Sequence, residues 1–193
     1  DGSRDRTAEV TRELAGANPY LRLVQHKVNQ GYGAAVYSGF SAATKELVFL
    51  TDGDGQFDVG ELARLLPSLS GVDMVIGYRA PRRDPFIRRL NGWGWTLLSN
   101  LLFGHVARDV DCAFKLFRRE ILDHITVKSR GATFSLEFLV RARRAGYKVR
   151  ETPVKHLPRV AGKQTGARLD VIVRAFRELF AFRRKLNQES RAR

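Results

Sequence analysis

The chain has 193 residues, 44% hydrophobic and 28% charged, enough for one domain with a well-buried core. Its single cysteine, Cys112, excludes an internal disulfide framework and a cysteine-rich zinc site, fits a reducing compartment, and leaves four histidines without HExxH-type spacing. The net charge of +14 asks for anionic partners such as nucleic acid, phosphorylated substrates or an anionic membrane surface. Most of that excess lies between Arg141 and Arg193, where 16 Lys and Arg stand against 4 Asp and Glu.

In chain order, Asp1-Gly2-Ser3 opens without a methionine and reads as a start inside a domain. Leu21–Val24 is expected to be a short strand, and Gly33–Thr44 a helix of small residues after a glycine-containing turn. The apolar run Glu46–Thr51 predicts a buried parallel strand. Asp58 predicts an N-cap for a helix reaching Leu69, with Glu61 completing a capping box. Asp73–Tyr78 reads as a second buried strand. Trp93–Ala107 is the most membrane-like stretch, but Ser99, Asn100 and His105 interrupt it and it falls short of the roughly 20 residues a span needs.

Ala113–Arg118 is expected to be a strand, Phe134–Ala145 a helix ending at Gly146, and Tyr147–Val154 a further strand. Leu169, Ile172, Phe176, Leu179 and Phe180 share one face of a C-terminal helix, with Arg168, Arg174, Arg177, Arg183 and Arg184 around the rest. That face suits either the domain's own core or an anionic membrane surface. Trp93 and Trp95 offer a second interfacial contact. The alternation of strands and helices predicts a layered α/β fold.

The sharpest chemical signal is Asp52-Gly53-Asp54-Gly55-Gln56, directly after the strand that ends at Thr51. Two carboxylates two residues apart at such a strand end point into the crevice where open α/β sheets bind ligands. Hard oxygen donors there suit Mg²⁺ or Mn²⁺ bridging to a diphosphate, and Gln56 adds a neutral oxygen. An ordinary polar turn explains the spacing equally well. Asn29-Gln30-Gly31-Tyr32-Gly33 lies between a strand and a helix, where glycines would let the backbone approach a nucleotide. A plain turn again accounts for it.

Together these segments resemble family 2 glycosyltransferases of the GT-A fold, in the dolichol-phosphate mannosyltransferase-like branch. Asp1 to Thr7 is similar to the end of a DDGSxDxT motif, and Asn29-x-Gly31-x-Gly33-Ala34 with Gly39 to NxGxGxA…G. Asp52 to Gln56 resembles DxDxQ, Gly77-Tyr78-Arg79 a GxR strand end, and Asp109–Arg119 a DxxxGFRLFRR segment. Phe134–Ala142 with Gly146 resembles FxxExxxRAxxxG, and Val154–Gly162 the PVxHxPRxxG stretch. The set runs in family order from Asp1 to about Gly166. It implies a mixed, mostly parallel sheet flanked by helices, with the first strands and their nucleoside contacts absent. Residues 1–166 would form this domain and 167–193 a basic amphipathic helix.

The resemblance implies that Asp52, Asp54 and Gln56 hold the divalent cation and the diphosphate of a sugar nucleotide. Asp1, Gly2, Asn29, Gly31 and Gly33 would line the nucleoside pocket. The implied reaction is inverting transfer of a hexose to a polyprenyl phosphate at the cytoplasmic membrane face. The acceptor phosphate is largely dianionic at neutral pH, so it needs cations for positioning more than a general base. Arg79, Arg88 and Arg159, with Lys163, are the candidates. Glu137 orients the acceptor or an arginine, or is a paired structural acid. Asp109 contacts the sugar or braces its loop.

Two places depart from the branch: Gly92-Trp93 stands where it has Ser-Arg, and Gln164-Thr165 where it has Ser-Lys. A transferase acting on a saccharide hydroxyl is therefore the alternative, with Glu137 or Asp109 as base. A basic nucleic-acid-binding module would explain the charge but not the two-aspartate motif. An inactive relative that binds nucleotide is a third reading.

Overall fold

The computed structural model describes residues 1–158 and 169–191. Four strands form one sheet in the order β1-β3-β2-β4. β1 (Leu47–Thr51), β2 (Met74–Arg79) and β4 (Val149–Val154) run in one direction, and β3 (Phe114–Arg118) runs against both its neighbours. The sheet is thus mixed. Three strands share a direction, yet only β2 and β4 pair in parallel, with Val75 opposite Arg150; β1, expected to be a buried parallel strand, is a half-buried edge strand that pairs antiparallel with β3.

Both faces of the sheet are covered, which is why its central strands read as continuous apolar runs. Along β2, Met74 and Ile76 point into one cluster while Val75 points into the other. The larger cluster lies under α2 (Tyr32–Ala42), α4 (Phe86–Phe103), α6 (Phe134–Arg144) and α7 (Leu169–Arg191). Its centre is aromatic: Phe117 sits 5.1 Å from Phe40 and 5.0 Å from Phe138, ring centre to ring centre. The smaller cluster joins Phe114, Leu116 and Val154 to Leu65 and Leu69 of the α3 region (α3, Leu62–Ser68). α1 (Thr7–Ala17) and the one-turn α5 (Ile121–His124) complete the elements.

Most predicted elements stand within one or two residues of their expected bounds, and α6 ends as foreseen, with Gly146 at φ +91°. Four further expectations need correction. Leu21–Val24 forms no strand: among the described residues nothing pairs with it, and a strand exists only through such pairing. Asp58 does cap, accepting the Gly60 N–H at 2.9 Å, but the turn it starts, Val59–Glu61, is 3₁₀ and becomes α-helical only from Leu62, as α3, which ends at Ser68. The reciprocal half of the capping box is absent, because Glu61 turns away to accept the Lys155 N–H at 2.7 Å. The buried face of α7 is Ala175, Leu179, Phe182 and Leu186, and Phe180 is exposed. The basic helix therefore packs on the domain core.

The fourth correction is an omission: α1 and α4 were not foreseen. Asp5, which accepts the Thr7 N–H at 3.1 Å, and the pair Pro85 and Gly104 flanking α4 are the signals that mark them.

Candidate active site

Asp52 leaves the end of β1, and the next residues fold into a tight turn. The Asp54 carboxylate accepts the Gln56 N–H at 3.0 Å, and Gly55 supplies the φ of +72° that the turn requires. Gln56 is buried, and the segment after β4 is stitched to it: Leu157 N donates to the Gln56 carbonyl at 2.9 Å, and the Gln56 amide nitrogen donates to the Leu157 carbonyl at 3.3 Å. His156 Nδ1 accepts the Arg83 N–H at 3.1 Å, so a neutral ring carries its proton on Nε2. Nε2 lies 3.3 Å from the Gln56 amide nitrogen, and two N–H groups do not bond one another. The amide nitrogen is thus committed to Leu157, and its oxygen is the atom of the type a hard cation takes. Two carboxylates and an amide oxygen fit Mg²⁺ or Mn²⁺ in kind.

Tyr32, at the start of α2, lies close to this acidic tip. Its phenol is held above its ordinary pKa by burial and by the charges of Asp52 and Asp111. Asp111 was not singled out from the sequence. It is open to water but ringed by protein, and desolvation together with Asp109 raises its carboxyl pKa. The neighbouring Cys112 is fully buried, and burial pushes its thiol up to about 12, which rules it out as a nucleophile at neutral pH. Lys115 is buried beside it and donates to the Val110 carbonyl at 3.3 Å and to the Cys112 carbonyl, holding the loop that carries Asp109 and Asp111.

The predicted nucleoside wall is gathered around Asp1. Its carboxylate accepts the Gln30 N–H at 2.8 Å and the Gly31 N–H at 3.0 Å, and Asn29 donates to its carbonyl at 3.2 Å. His26, which sequence reasoning missed, bridges the same carboxylate at 2.8 Å to Ser38 at 2.8 Å. Gly2 sits at φ +64°, and a Cβ there would lie 2.3 Å from the Asn29 nitrogen. At Gly33 a Cβ would lie 2.8 Å from the Ser129 carbonyl oxygen, and at Gly31 2.6 Å from that of Arg130. The glycines at 31 and 33 thus serve a close approach between two backbones. That packing is the reason the structure gives for them.

Glu137 fixes the other side of that approach. It accepts the Ser129 N–H at 2.8 Å and the Ser129 hydroxyl at 2.6 Å, and Arg141 donates to it at 2.7 Å. Burial alone would raise its pKa, but these bonds outweigh burial and hold it below the usual value. Of the roles expected for Glu137, orienting an arginine is the one its contacts match.

Two strands away, the end of β2 is basic. Arg79 donates through two nitrogens to Asp109, both at 2.6 Å, with both side chains almost fully buried. Asp84 is completely buried in turn, 2.7 Å from Arg82, 3.2 Å from Arg88 and 3.6 Å from Arg79. Burial would raise the pKa of Asp84 and Asp109, but the arginines hold both below the ordinary carboxylate value. Arg79 and Arg88 are therefore anchored by acids. A cavity of about 370 Å³ opens here between Tyr78, Arg79, Arg82, Arg89, Trp93 and Arg108. Arg159 and Lys163 lie outside the described residues.

Residues 1–126 match the profile of Glycosyl transferase family 2. The chain belongs to this family. It is 32% identical over 170 residues to a dolichyl-phosphate beta-glucosyltransferase of Trichomonas vaginalis, covering 80% of this chain and 50% of that one. It is 31% identical over 184 residues to the polyprenol monophosphomannose synthase of Mycolicibacterium smegmatis, covering 88% and 69%. A dolichyl-phosphate hexose transferase of Haloferax volcanii is 30% identical over 163 residues, covering 82% and 68%. The family 2 chain thus spans about half the length of some curated relatives it matches. Among solved structures, glucosyl-3-phosphoglycerate synthase from Mycobacterium tuberculosis with Mg²⁺ and UDP matches with a TM-score of 0.61 at 17% identity, over 93% of this chain and 63% of that one. That likeness establishes the GT-A fold.

Proposed function

We propose that this domain transfers a hexose, with inversion, from a nucleotide diphosphate sugar to a polyprenyl phosphate at the cytoplasmic face of a membrane. The observation that carries the reading is a pair of opposite charge sites at the same end of the sheet. An acidic turn, Asp52 to Gln56, ends β1, and an arginine-walled cavity opens at the end of β2, two strand positions away. The family and the three lipid-phosphate transferases among its relatives support the same assignment.

Asp52, Asp54 and Gln56 would hold the divalent cation, which when bound neutralises the charge that develops on the leaving diphosphate. Asp1, Asn29 and the Gly31 segment, knitted by the Asp1 carboxylate, would form the nucleoside side of the donor pocket. Arg82, Arg89 and Arg108 face the cavity beside the anchored Arg79 and would set the acceptor phosphate in line with the sugar carbon. The dianionic phosphate is its own nucleophile, so none of these residues has to remove a proton. Arg88, tied to Asp84, steadies this wall, and Arg159 and Lys163 are further cations of the proposed acceptor side.

One observation favours a second reading, transfer to a saccharide hydroxyl. Such an acceptor needs a carboxylate base, and Asp109 and Glu137 are both held ionised by arginines at depressed pKa. Asp111, with its raised pKa near Tyr32, is the better base.

Calorimetry of GDP- and UDP-sugars with and without Mn²⁺ tests the main reading, followed by transfer to a polyprenyl phosphate. Metal-dependent binding should weaken on the order of 100-fold in Asp54→Ala. No binding to any sugar nucleotide by folded protein would sink the assignment and bring a nucleic-acid partner forward. Transfer to a sugar hydroxyl, lost in Asp111→Asn, would favour the second reading.

A further inference from the structure

α4 is apolar on two opposite faces, and only one of them is used by the fold. Trp95, Leu98 and Leu102 pack inward on the larger core cluster, and Ser99 is fully buried. On the outside, Phe86 is 75% exposed, Leu90 53%, Trp93 63%, Leu97 42% and Leu101 75%. At 3.6 residues per turn these five lie within an arc of about 80° and extend about 22 Å along the helix. Ile87, 70% exposed, widens the stripe at its start. Single exposed apolar residues need no explanation, but an aligned run of six does.

Charge says what covers it. α4 contains no Asp or Glu, and the chain around its start carries Arg79, Arg82, Arg83, Arg88 and Arg89 against Asp84, which is buried. Arg83 and Arg89 are exposed. An apolar stripe ending in exposed arginines complements a surface with anionic headgroups over hydrocarbon. The stripe is also continuous with the candidate acceptor cavity, whose wall includes Phe86, Leu90 and Trp93 together with Arg82 and Arg89.

We propose that the outer face of α4 is the surface on which this protein docks to an anionic lipid bilayer, with its first half opening the arginine-walled cavity to the headgroup layer. The inference rests on the proposed function for the identity of the lipid-borne acceptor; the docking surface itself is independent of it. α4 lies in the headgroup plane, Trp93 at the boundary, and Leu97 and Leu101 anchor the end remote from the cavity.

The test is co-sedimentation of the protein with vesicles containing phosphatidylglycerol, against neutral phosphatidylcholine vesicles. Binding to the anionic vesicles should be at least ~10-fold stronger. Leu97→Glu/Leu101→Glu, at two positions away from the cavity, should lower it by at least ~10-fold. In a Trp95→Phe background, Trp93 emission should shift to the blue and be quenched by brominated lipid, which reads the contact even if the double variant melts. Unquenched Trp93, equal binding by a folded double variant, or a dimer in solution that the two substitutions dissolve would each overturn the proposal. Sugar-nucleotide affinity is read separately: vesicle binding without it sinks the enzymatic reading alone, and the reverse outcome sinks the docking surface alone.

Discussion

The ends of β1 and β2 lie at the same end of the sheet but are built in opposite ways. At β1 the acidic turn takes its shape from a side-chain-to-backbone bond, Asp54 to the Gln56 N–H, and its carboxylates are only partly buried. At β2 the charges are almost fully buried and answer one another: Arg79 with Asp109, and Arg82, Arg88 and Arg79 around Asp84. A buried ion is tolerable only when paired, so the basic side has its geometry fixed by the fold itself. At β1 the turn depends on an oxygen acceptor, which an amide supplies as well as a carboxylate. Charge removal at β2 should therefore damage stability, and charge removal at β1 should damage ligand binding.

The largest expected effect comes from breaking the first arrangement. Asp109→Asn takes the bidentate partner from the buried Arg79 guanidinium, leaving only Asp84 at 3.6 Å, and should cost about 3 kcal/mol of folding stability. In a chain of this size that lowers the melting temperature by roughly 6–12 °C, measured by calorimetry. Asp54→Asn keeps the oxygen that accepts the Gln56 N–H and should cost clearly less, about 1 kcal/mol. Equal losses in the two variants would dissolve the distinction between the two strand ends.

The contrast also marks how far the sequence could be read. Asp52, Asp54 and Gln56 were legible because a carboxylate pair at the end of an apolar run is a local pattern, and the turn it predicts is there. The strands were legible for the same reason, each being a short apolar run between turn residues. The pairing of Asp109 with Arg79 spans thirty positions, and no local spacing announces it. Asp84 was passed over because its burial comes from the fold around it, and nothing in Arg-Arg-Asp-Pro states that. α4 escaped because its two apolar faces blur the single stripe by which a helix is recognised. The glycines at 31 and 33 were found, but the partner that requires them, the backbone at Ser129 and Arg130, is remote in sequence.

Glu137 sharpens the comparison from a third position, where a carboxylate braces a loop instead of a strand end. Glu137→Gln keeps the shape but loses the charge that strengthens its bonds to Ser129 and Arg141, and should cost about 2 kcal/mol. The loss should be local as well as global. Amide exchange at Ser129 and Arg130 should quicken, and the Ala34 N–H, which donates to the Arg130 carbonyl at 3.3 Å, should lose protection with them. Unchanged exchange in that loop would mean that Glu137 is not its brace.

The smallest effect is one of slope. Asp84, Asp109 and Glu137 all titrate below their ordinary values of 3.8, 3.8 and 4.5 in the folded chain. A carboxyl depressed in this way adds stability that is fully present above its unfolded pKa. That stability drains away as pH falls through the folded value. Stability on account of these groups should be level from pH 7 to about 5 and fall steeply below about 4. Asp109→Asn removes one titrating proton from that limb, so below pH 4 its stability should fall less steeply than the parent's, by up to about 1.4 kcal/mol per pH unit. Denaturant melts across that range measure the two slopes. Parallel acid limbs would mean that Asp109 carries no depressed pKa, and the fixed geometry attributed to the β2 end would lose its electrostatic basis.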